Sequence, residues 1–257
     1  MTNRQPHDPA RDGDLLSEVY DEWHAEHPDT EATVEFLARL AGNGPVLELG
    51  PGTGRLALPL AEGGLEVHGI EASERMVDRT RAKLGGDRVG ITIGDFADVG
   101  VEGRFRLVFA AFNTFTNLFT QEDQVRCFAN VARHLTTDGS FVIEALVPNP
   151  ELVTAGHGVN VLQVEADNVV LGASSYDRVT QQLRMTYLVL EEGRVRLIPL
   201  HARFVWPAEL DLMARLARLE LKERWGGWRG EPFTANSTNQ VSVYRAAEMR
   251  SGRQPGA

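Results

Sequence analysis

This sequence has little cysteine and no long apolar segment. Its one cysteine among 257 residues, Cys127, excludes a disulfide within the chain. A helical pattern places it beside Phe128 and Val131, where we expect a buried and unreactive thiol. No apolar run approaches the ~20 residues that span a bilayer, and residues 1–14 lack the apolar core of a secretory signal. These absences predict a cytoplasmic protein with no membrane partner.

Positive charge is also scarce, since 26 Lys and Arg stand against 36 Asp and Glu, for a formal net charge of −10. This balance disfavours the broad basic surface that nucleic acids require, and it favours a small-molecule partner. The 7 histidines are scattered and show no His-Glu-x-x-His pattern, and a single cysteine cannot form a cysteine-rich metal spacing. We therefore expect no metal site.

A glycine-rich turn is the most informative segment that is present. Residues 46–49 form an apolar run that contains Glu48. Gly50, Gly52 and Gly54 follow it at alternate positions. The pattern predicts a buried strand, a tight turn and a helix from Arg55. Dinucleotide-binding turns have the spacing G-x-G-x-x-G, whereas this turn has G-x-G-x-G. A carboxylate at the strand end repels a pyrophosphate and suits a cation. The alternative is a structural turn that binds nothing.

Three further predicted strands end in polar or aromatic residues. Residues 67–71 end in Glu71, which can accept hydrogen bonds from two ribose hydroxyls, and a helix that includes Met76 follows. Residues 89–96 end in Gly-Asp-Phe, and residues 105–114 end in an aromatic and polar stretch. Ligands of open α/β sheets lie at the carboxyl ends of the strands, near the point where strand order reverses. These strand ends therefore predict one site, although each acid alone can be a turn or capping residue.

At these residues the chain resembles the class I S-adenosylmethionine-dependent methyltransferases. The resemblance implies an α/β fold with a doubly wound, mainly parallel seven-stranded sheet, and S-adenosyl-L-methionine as cofactor. In that family the acid after the third strand accepts from the adenine amino group, and neighbouring side chains sandwich the ring; Asp95 and Phe96 match this pattern. The predicted cofactor-binding residues are Glu48, Gly50, Gly52, Gly54, Glu71, Met76, Asp95, Phe96 and Phe112.

The chain divides into four predicted parts. Residues 1–42 form an N-terminal helical lid, of which residues 1–13 look disordered. Residues 43–148 and 207–246 form the cofactor-binding core, residues 149–206 an antiparallel β insertion after the fifth strand, and residues 247–257 a tail. This insertion makes the chain similar to actinobacterial small-molecule N-methyltransferases of antibiotic pathways, such as those acting on aminosugars and lincosamides. Whether the insertion covers the site or builds a homo-oligomer interface stays open.

The acceptor side carries weaker signals. Tyr20 and Glu144 are the candidate catalytic residues, because a phenol or a carboxylate can orient an amine or take its proton. Tyr20, Trp23, Asn113 and Phe115 are the candidate substrate-binding residues. The competing interpretation is that the aromatic residues pack in the core and that Glu144 pairs with an arginine.

The predicted function is transfer of a methyl group to an amine of a small molecule, in antibiotic-type secondary metabolism. In-line displacement at a sulfonium needs no general acid, so positioning of the two reactants supplies most of the rate. A small-molecule O-methyltransferase is the alternative within the class. Two alternatives lie outside the methyltransferase class. One is an NAD-dependent dehydrogenase, which the glycine spacing and Glu48 disfavour, and the other is a non-catalytic ligand-binding protein.

Overall fold

The computed structural model describes residues 7–24, 27–191 and 193–247, and it contains two β-sheets. The strands are β1 (Val46–Leu49), β2 (Val67–Glu71), β3 (Val89–Ile93), β4 (Phe105–Ala110), β5 (Leu135–Leu146), β6 (His157–Val164), β7 (Asn168–Tyr176), β8 (Gln182–Glu191), β9 (Arg194–Arg203), β10 (Leu219–Trp225) and β11 (Asn239–Ala246). The helices are α1 (Pro9–Leu16), α2 (Tyr20–His24), α3 (Thr30–Ala41), α4 (Ala57–Glu62), α5 (Glu74–Ala82), α6 (Gln121–His134), α7 (Pro150–Ala155) and α8 (Pro207–Leu216), with short 3₁₀ turns at Gly86–Arg88 and Thr114–Asn117.

The larger sheet has the order β10-β11-β5-β4-β1-β2-β3. Strands β1 to β5 pair in parallel, and β11 runs antiparallel to both of its neighbours. The chain builds outward from β1 through β2 to β3 and then returns to place β4 on the other side of β1. A crevice therefore opens between the carboxyl ends of β1 and β4. The predicted seven-stranded, mainly parallel sheet with an antiparallel insertion is confirmed.

The central strand β1 is buried along its whole length, as expected for a parallel strand covered on both faces. Its alternate side chains enter two separate cores. Val46 packs in the layer that contains α3 and α4, and Leu47 packs in the layer that contains α6 and α8. This two-sided burial fixes the positions at which the strands end, and hence where their polar terminal residues lie.

The insertion forms the second sheet, in the antiparallel order β6-β7-β8-β9. The N-terminal segment packs on it: Val19 is buried among Val170, Val189 and Ile198 of the sheet. The same segment reaches the core, because the Ser73 hydroxyl donates to Asp14 Oδ1 at 2.6 Å. Helix α1 thus lies between the insertion and the carboxyl end of β2.

Several boundaries differ from the sequence predictions, among them the end of the fourth strand, which is Ala110 rather than residue 114. Residues 9–13 are helical rather than disordered, because Pro9 begins α1 and the Asp8 carboxylate accepts from the N–H groups of Ala10 and Arg11; residues 1–6 lie outside the described part. Helix α4 begins at Ala57, two residues after Arg55, because turns continue through residue 56. Strand β3 ends at Ile93, which leaves the following Gly-Asp-Phe on a loop. Of the predicted tail, only Ala247 is described.

No described helix combines the length and the apolar character needed to cross a bilayer.

Candidate active site

The glycine turn after β1 has the left-handed backbone that its composition predicts. Gly50, Gly52 and Gly54 have φ angles of +71°, +58° and +84°, a region that L-residues with a Cβ rarely adopt. A Cβ on Gly50 would lie 2.5 Å from Cγ2 of Thr114, whereas one on Gly52 would meet no described residue within 4 Å. The turn therefore packs tightly against the loop after β4 and leaves its middle open to a ligand.

Glu48 is a buried carboxylate without sufficient partners. It is 5% exposed, and its Oε2 atom has no hydrogen-bond partner in the part of the chain that the structure describes. Burial raises its pKa to about 8; the nearby Arg55 and the Ala57 backbone N–H oppose that rise, and Glu71 adds to it. An orphaned carboxylate oxygen at the sheet's carboxyl edge is stabilised when a cation occupies the space beside it.

Glu71 ends β2 on the same edge. Its two oxygens accept from the Gly52 N–H at 3.0 Å and from the Ser73 N–H at 2.9 Å, so it joins the glycine turn to the start of α5. Ser73 caps α5 by accepting from the Met76 N–H at 3.1 Å. Burial raises the pKa of Glu71 against these backbone hydrogen bonds. Helix α1 covers this point closely, since a Cβ on Gly13 would lie 2.7 Å from the Ser73 Cβ.

The loop after β3 presents one exposed and one buried predicted residue. Asp95 is exposed, and its Oδ1 accepts from the Ala97 N–H at 2.8 Å. Phe96 is buried, with its ring 3.7 Å from the position of a Cβ on Gly50. Met76 is buried on α5. The structure therefore brings the predicted cofactor residues to one edge of the sheet, although Met76 and Phe96 contribute apolar packing there.

The loop after β4 begins with two strained residues. Phe112 and Asn113 have φ angles of +53° and +64°, which are uncommon for residues other than glycine and concentrate at functional sites. Glu144 Oε2 accepts from the Phe112 N–H at 2.6 Å, and Asn113 Oδ1 accepts from the Leu146 N–H at 2.6 Å. Neighbouring β5 thus holds this strained turn in place.

These contacts correct three predictions. Glu144 was predicted to bind the acceptor amine or an arginine, but its oxygens hold the Phe112 N–H and the Asn239 side chain, at 2.6 and 2.8 Å. It is a positioning residue for the loop. Asn113, a candidate substrate-binding residue, likewise braces β5 through the contact of its Oδ1 with the Leu146 N–H. Phe115 is 0% exposed and packs edge-on against Phe128, because the 3₁₀ turn rotates its side chain into the core.

An aromatic and imidazole cluster lies beside Phe112. The Tyr20 and His24 ring centroids are 4.7 Å apart, and both His24 and His27 meet the Phe112 ring edge-on at 4.9 Å. The Arg55 guanidinium lies over the same ring at 5.0 Å. Tyr20 therefore lies in the cluster beside Phe112, at the end of β4. Trp23 instead packs against Tyr187 of the insertion, with ring centroids 5.2 Å apart.

The electrostatics of this cluster favour uncharged side chains. Burial and the positive charge of Arg55 lower the pKa values of His24 and His27. Burial raises the pKa of the Tyr20 phenol, and Arg55 opposes that rise. Both imidazoles are therefore neutral at pH 7 and able to take a proton.

Sequence reasoning missed three residues of this cluster: His24, His27 and Arg55. The two histidines share one face of a predicted helix, a spacing that suggests metal binding as much as catalysis. For Arg55 the only signal was its place directly after the glycine turn. Its Nε atom is buried without a hydrogen-bond partner among residues 7–24, 27–191 and 193–247, while one of its terminal nitrogens donates to the Thr30 hydroxyl at 3.0 Å.

Comparisons with known proteins agree with this geometry. The family described as a methyltransferase domain matches residues 46–139. A Streptomyces protein named cypemycin N-terminal methyltransferase is 32% identical over 201 residues, which cover 77% of this chain and 81% of that protein. The structure of the CcbJ methyltransferase from Streptomyces caelestis superposes with a TM-score of 0.87 at 40% identity, over 94% of this chain and 100% of that one. The sugar N-methyltransferase KedS8 from Streptoalloteichus shares the fold, with a TM-score of 0.66 at 21% identity over 95% and 98% of the two chains.

Proposed function

The chain belongs to the class I S-adenosylmethionine-dependent methyltransferases, and from this premise we propose that it methylates an amine of a small molecule. The setting we propose is secondary metabolism of the antibiotic type. The names of two similar proteins support the amine, since one is an N-terminal methyltransferase and the other a sugar N-methyltransferase. The observation that carries the proposal is the pair of neutral imidazoles and the phenol around Phe112.

The residues present fit S-adenosylmethionine, the cofactor of this family. The orphaned Oε2 of Glu48 suits the positive groups of that molecule, and the open space at Gly52 allows close approach of a ligand to the backbone. We assign Glu71 to the ribose hydroxyls and Asp95 and Phe96 to the adenine. When bound, the cofactor supplies an electrophilic methyl group.

An amine can attack that methyl group only with a free lone pair, so the protein must remove a proton from an ammonium acceptor. We assign this step to His24. His27 Nδ1 already accepts from the Asp29 N–H at 3.3 Å, which engages the lone pair of its neutral imidazole. His24 stands between Tyr20 and Phe112 and is neutral at pH 7. Tyr20 is then positioned to orient the amine through its hydroxyl.

The described part of the N-terminal 42 residues and the insertion complete the proposed arrangement as a lid over the crevice. Support comes from α1, which touches Ser73 near Glu71, and from α2, which carries Tyr20 and His24.

The outer face of the insertion supports a second proposal, a homo-oligomer through the β insertion, because Val161 and Leu197 share that face and are 64% and 59% exposed. Light scattering of wild type and of a Val161→Lys variant tests it. Equal monomeric masses would contradict it.

The function is tested with matched acceptor pairs that differ only in an amine or a hydroxyl, incubated with the full chain and S-adenosylmethionine. Mass spectrometry detects the added methyl group, and NMR places it on nitrogen or oxygen. We expect methylation of the amine partners alone. Methylation confined to the hydroxyl partners would make the protein an O-methyltransferase and overturn the amine proposal.

A further inference from the structure

Three side chains from distant parts of the sequence converge where the N-terminal segment meets strand β9 of the insertion. His7 precedes α1, Asp12 lies within α1, and His201 lies on β9, 189 positions from Asp12. One potential ligand atom from each lies within 4.8 Å of the others. The side chains are 16–22% exposed, so the cluster is largely removed from solvent.

We propose that His7, Asp12 and His201 bind a divalent transition-metal ion, with Zn²⁺ as the best match. Two imidazole nitrogens and one carboxylate are a ligand set that suits Zn²⁺, while Mg²⁺ and Ca²⁺ prefer oxygen ligands throughout. Three protein ligands leave the fourth position of a tetrahedral site to water. The assignment is independent of the proposed function of the crevice.

The hydrogen bonding of His7 supports a cation in the cluster. Its Nε2 lies 3.3 Å from the Asn117 carbonyl oxygen, which makes Nε2 the nitrogen that bears the proton. The lone pair of the neutral ring then resides on Nδ1, which is buried without a hydrogen-bond partner among the described residues and lies 3.5 Å from Asp12 Oδ2. Two electron-rich atoms that face each other in a buried space are stabilised by a positive ion between them. The Asn117 carbonyl would then orient the His7 imidazole by accepting a hydrogen bond from Nε2 while Nδ1 binds the metal.

One of the two distances from Asp12 fits a zinc site and the other must lengthen, within a set of ligand atoms that all lie within 4.8 Å of one another. Zinc–ligand bonds of about 2.0–2.1 Å place ligand atoms about 3.3 Å apart in a tetrahedral site. The His7 Nδ1 to Asp12 Oδ2 distance of 3.5 Å matches this value. His201 Nδ1 lies 2.6 Å from the same oxygen, as a hydrogen bond does, and must open by a fraction of an ångström. Phe119 packs against both imidazoles, with ring centroids 5.0 and 5.3 Å away, and closes one side of the site.

A bound ion would fasten the N-terminal segment to the insertion. Asp12 and His7 belong to that segment, and His201 belongs to the sheet. Because Asp14 of the same helix accepts from Ser73 beside Glu71, the ion would also hold α1 over the carboxyl end of β2. The expected effect is slower hydrogen exchange of the α1 amides when the ion is present.

The test is titration of the full chain, without an affinity tag and after chelator treatment, with Zn²⁺ by calorimetry and with Co²⁺ by visible absorption. We expect one equivalent to bind. Asp12→Asn and His201→Gln should each weaken binding by about a hundredfold, whereas His157→Gln, which changes an exposed histidine on β6, should leave it unchanged.

Absence of Zn²⁺ binding to wild type at ~100 µM would overturn the proposal, and so would equal binding by wild type and the two cluster variants. If a variant does not fold, X-ray absorption of the wild-type zinc complex decides instead. A first shell with two imidazole ligands supports the site, and a shell with fewer refutes it.

Discussion

Replacing Glu48 with glutamine should make the unliganded protein more stable at pH 8 and remove a pH dependence that wild type has. Burial raises the pKa of Glu48 from 4.5 to about 8. The pKa of Glu48 is higher in the folded state than in the unfolded state. Its contribution to the free energy of unfolding is therefore most favourable below pH 4.5 and is lost as the pH rises to 8. At ~1.4 kcal/mol per pH unit, the loss is about 5 kcal/mol at most.

The measurement is the free energy of unfolding in guanidinium chloride at pH 5 and pH 8, for wild type, Glu48→Gln and Glu62→Gln. The last variant changes an exposed glutamate at the end of α4 and serves as the matched control. We expect the difference between Glu48→Gln and wild type to grow by a few kcal/mol from pH 5 to pH 8. Parallel pH curves for wild type and Glu48→Gln would refute the reasoning.

The same carboxylate should link cofactor binding to proton release. A cation beside Oε2 favours the ionised carboxylate, so wild type should bind S-adenosylhomocysteine more tightly as the pH rises from 6 to 7.5. The ammonium of the ligand stays largely protonated over this range. Calorimetry in buffers of different ionisation enthalpy should detect the released proton in wild type and none in Glu48→Gln. Equal proton release in both proteins would separate Glu48 from the ligand.

Three further outcomes follow from the geometry of the site. Glu71→Gln should weaken S-adenosylhomocysteine binding by about 10–100-fold in calorimetry, the cost of losing a charged hydrogen bond; unchanged affinity would remove Glu71 from the site. His24→Gln should lower kcat and flatten the acidic limb of its pH profile while S-adenosylhomocysteine affinity stays constant, and a profile that overlays wild type would contradict proton transfer to His24. Phe115→Ala should cost about 3–5 kcal/mol of unfolding free energy in urea, because its side chain is fully buried; a loss under ~1 kcal/mol would place it at the surface.

The part of the candidate site at the ends of β1 and β2 was predictable because it depends on local patterns at strand ends. Apolar runs buried on both faces identify the parallel strands, and their last residues must lie at one edge of the sheet. Gly50, Gly52 and Gly54 were recognisable because left-handed backbone favours glycine, and the structure gives all three positive φ angles. Glu48 and Glu71 are brought together by the parallel pairing of β1 with β2.

The part of the candidate site beside Phe112 was less predictable because it depends on how loops turn. Phe112 and Phe115 are three residues apart and look equivalent in the sequence. The strained backbone at Phe112 and the 3₁₀ turn that follows send one ring to the crevice and the other into the core. Glu144 interrupts an apolar strand, which signals a partner for a buried acid. That partner is the loop backbone at Phe112, and no local pattern distinguishes it from an arginine or a ligand.

The sequence by itself determined the alternation of strands and helices, the glycine turn and the acids at the strand ends, because periodicity and backbone preference act over a few neighbouring residues. The tertiary structure alone decided which distant side chains meet. His24 reaches Phe112 because α2 is held between the sheet of the insertion and the core. His201 reaches Asp12 across 189 positions because α1 packs along β9. Such contacts depend on packing between whole helices and strands, and no local pattern in the sequence predicts them.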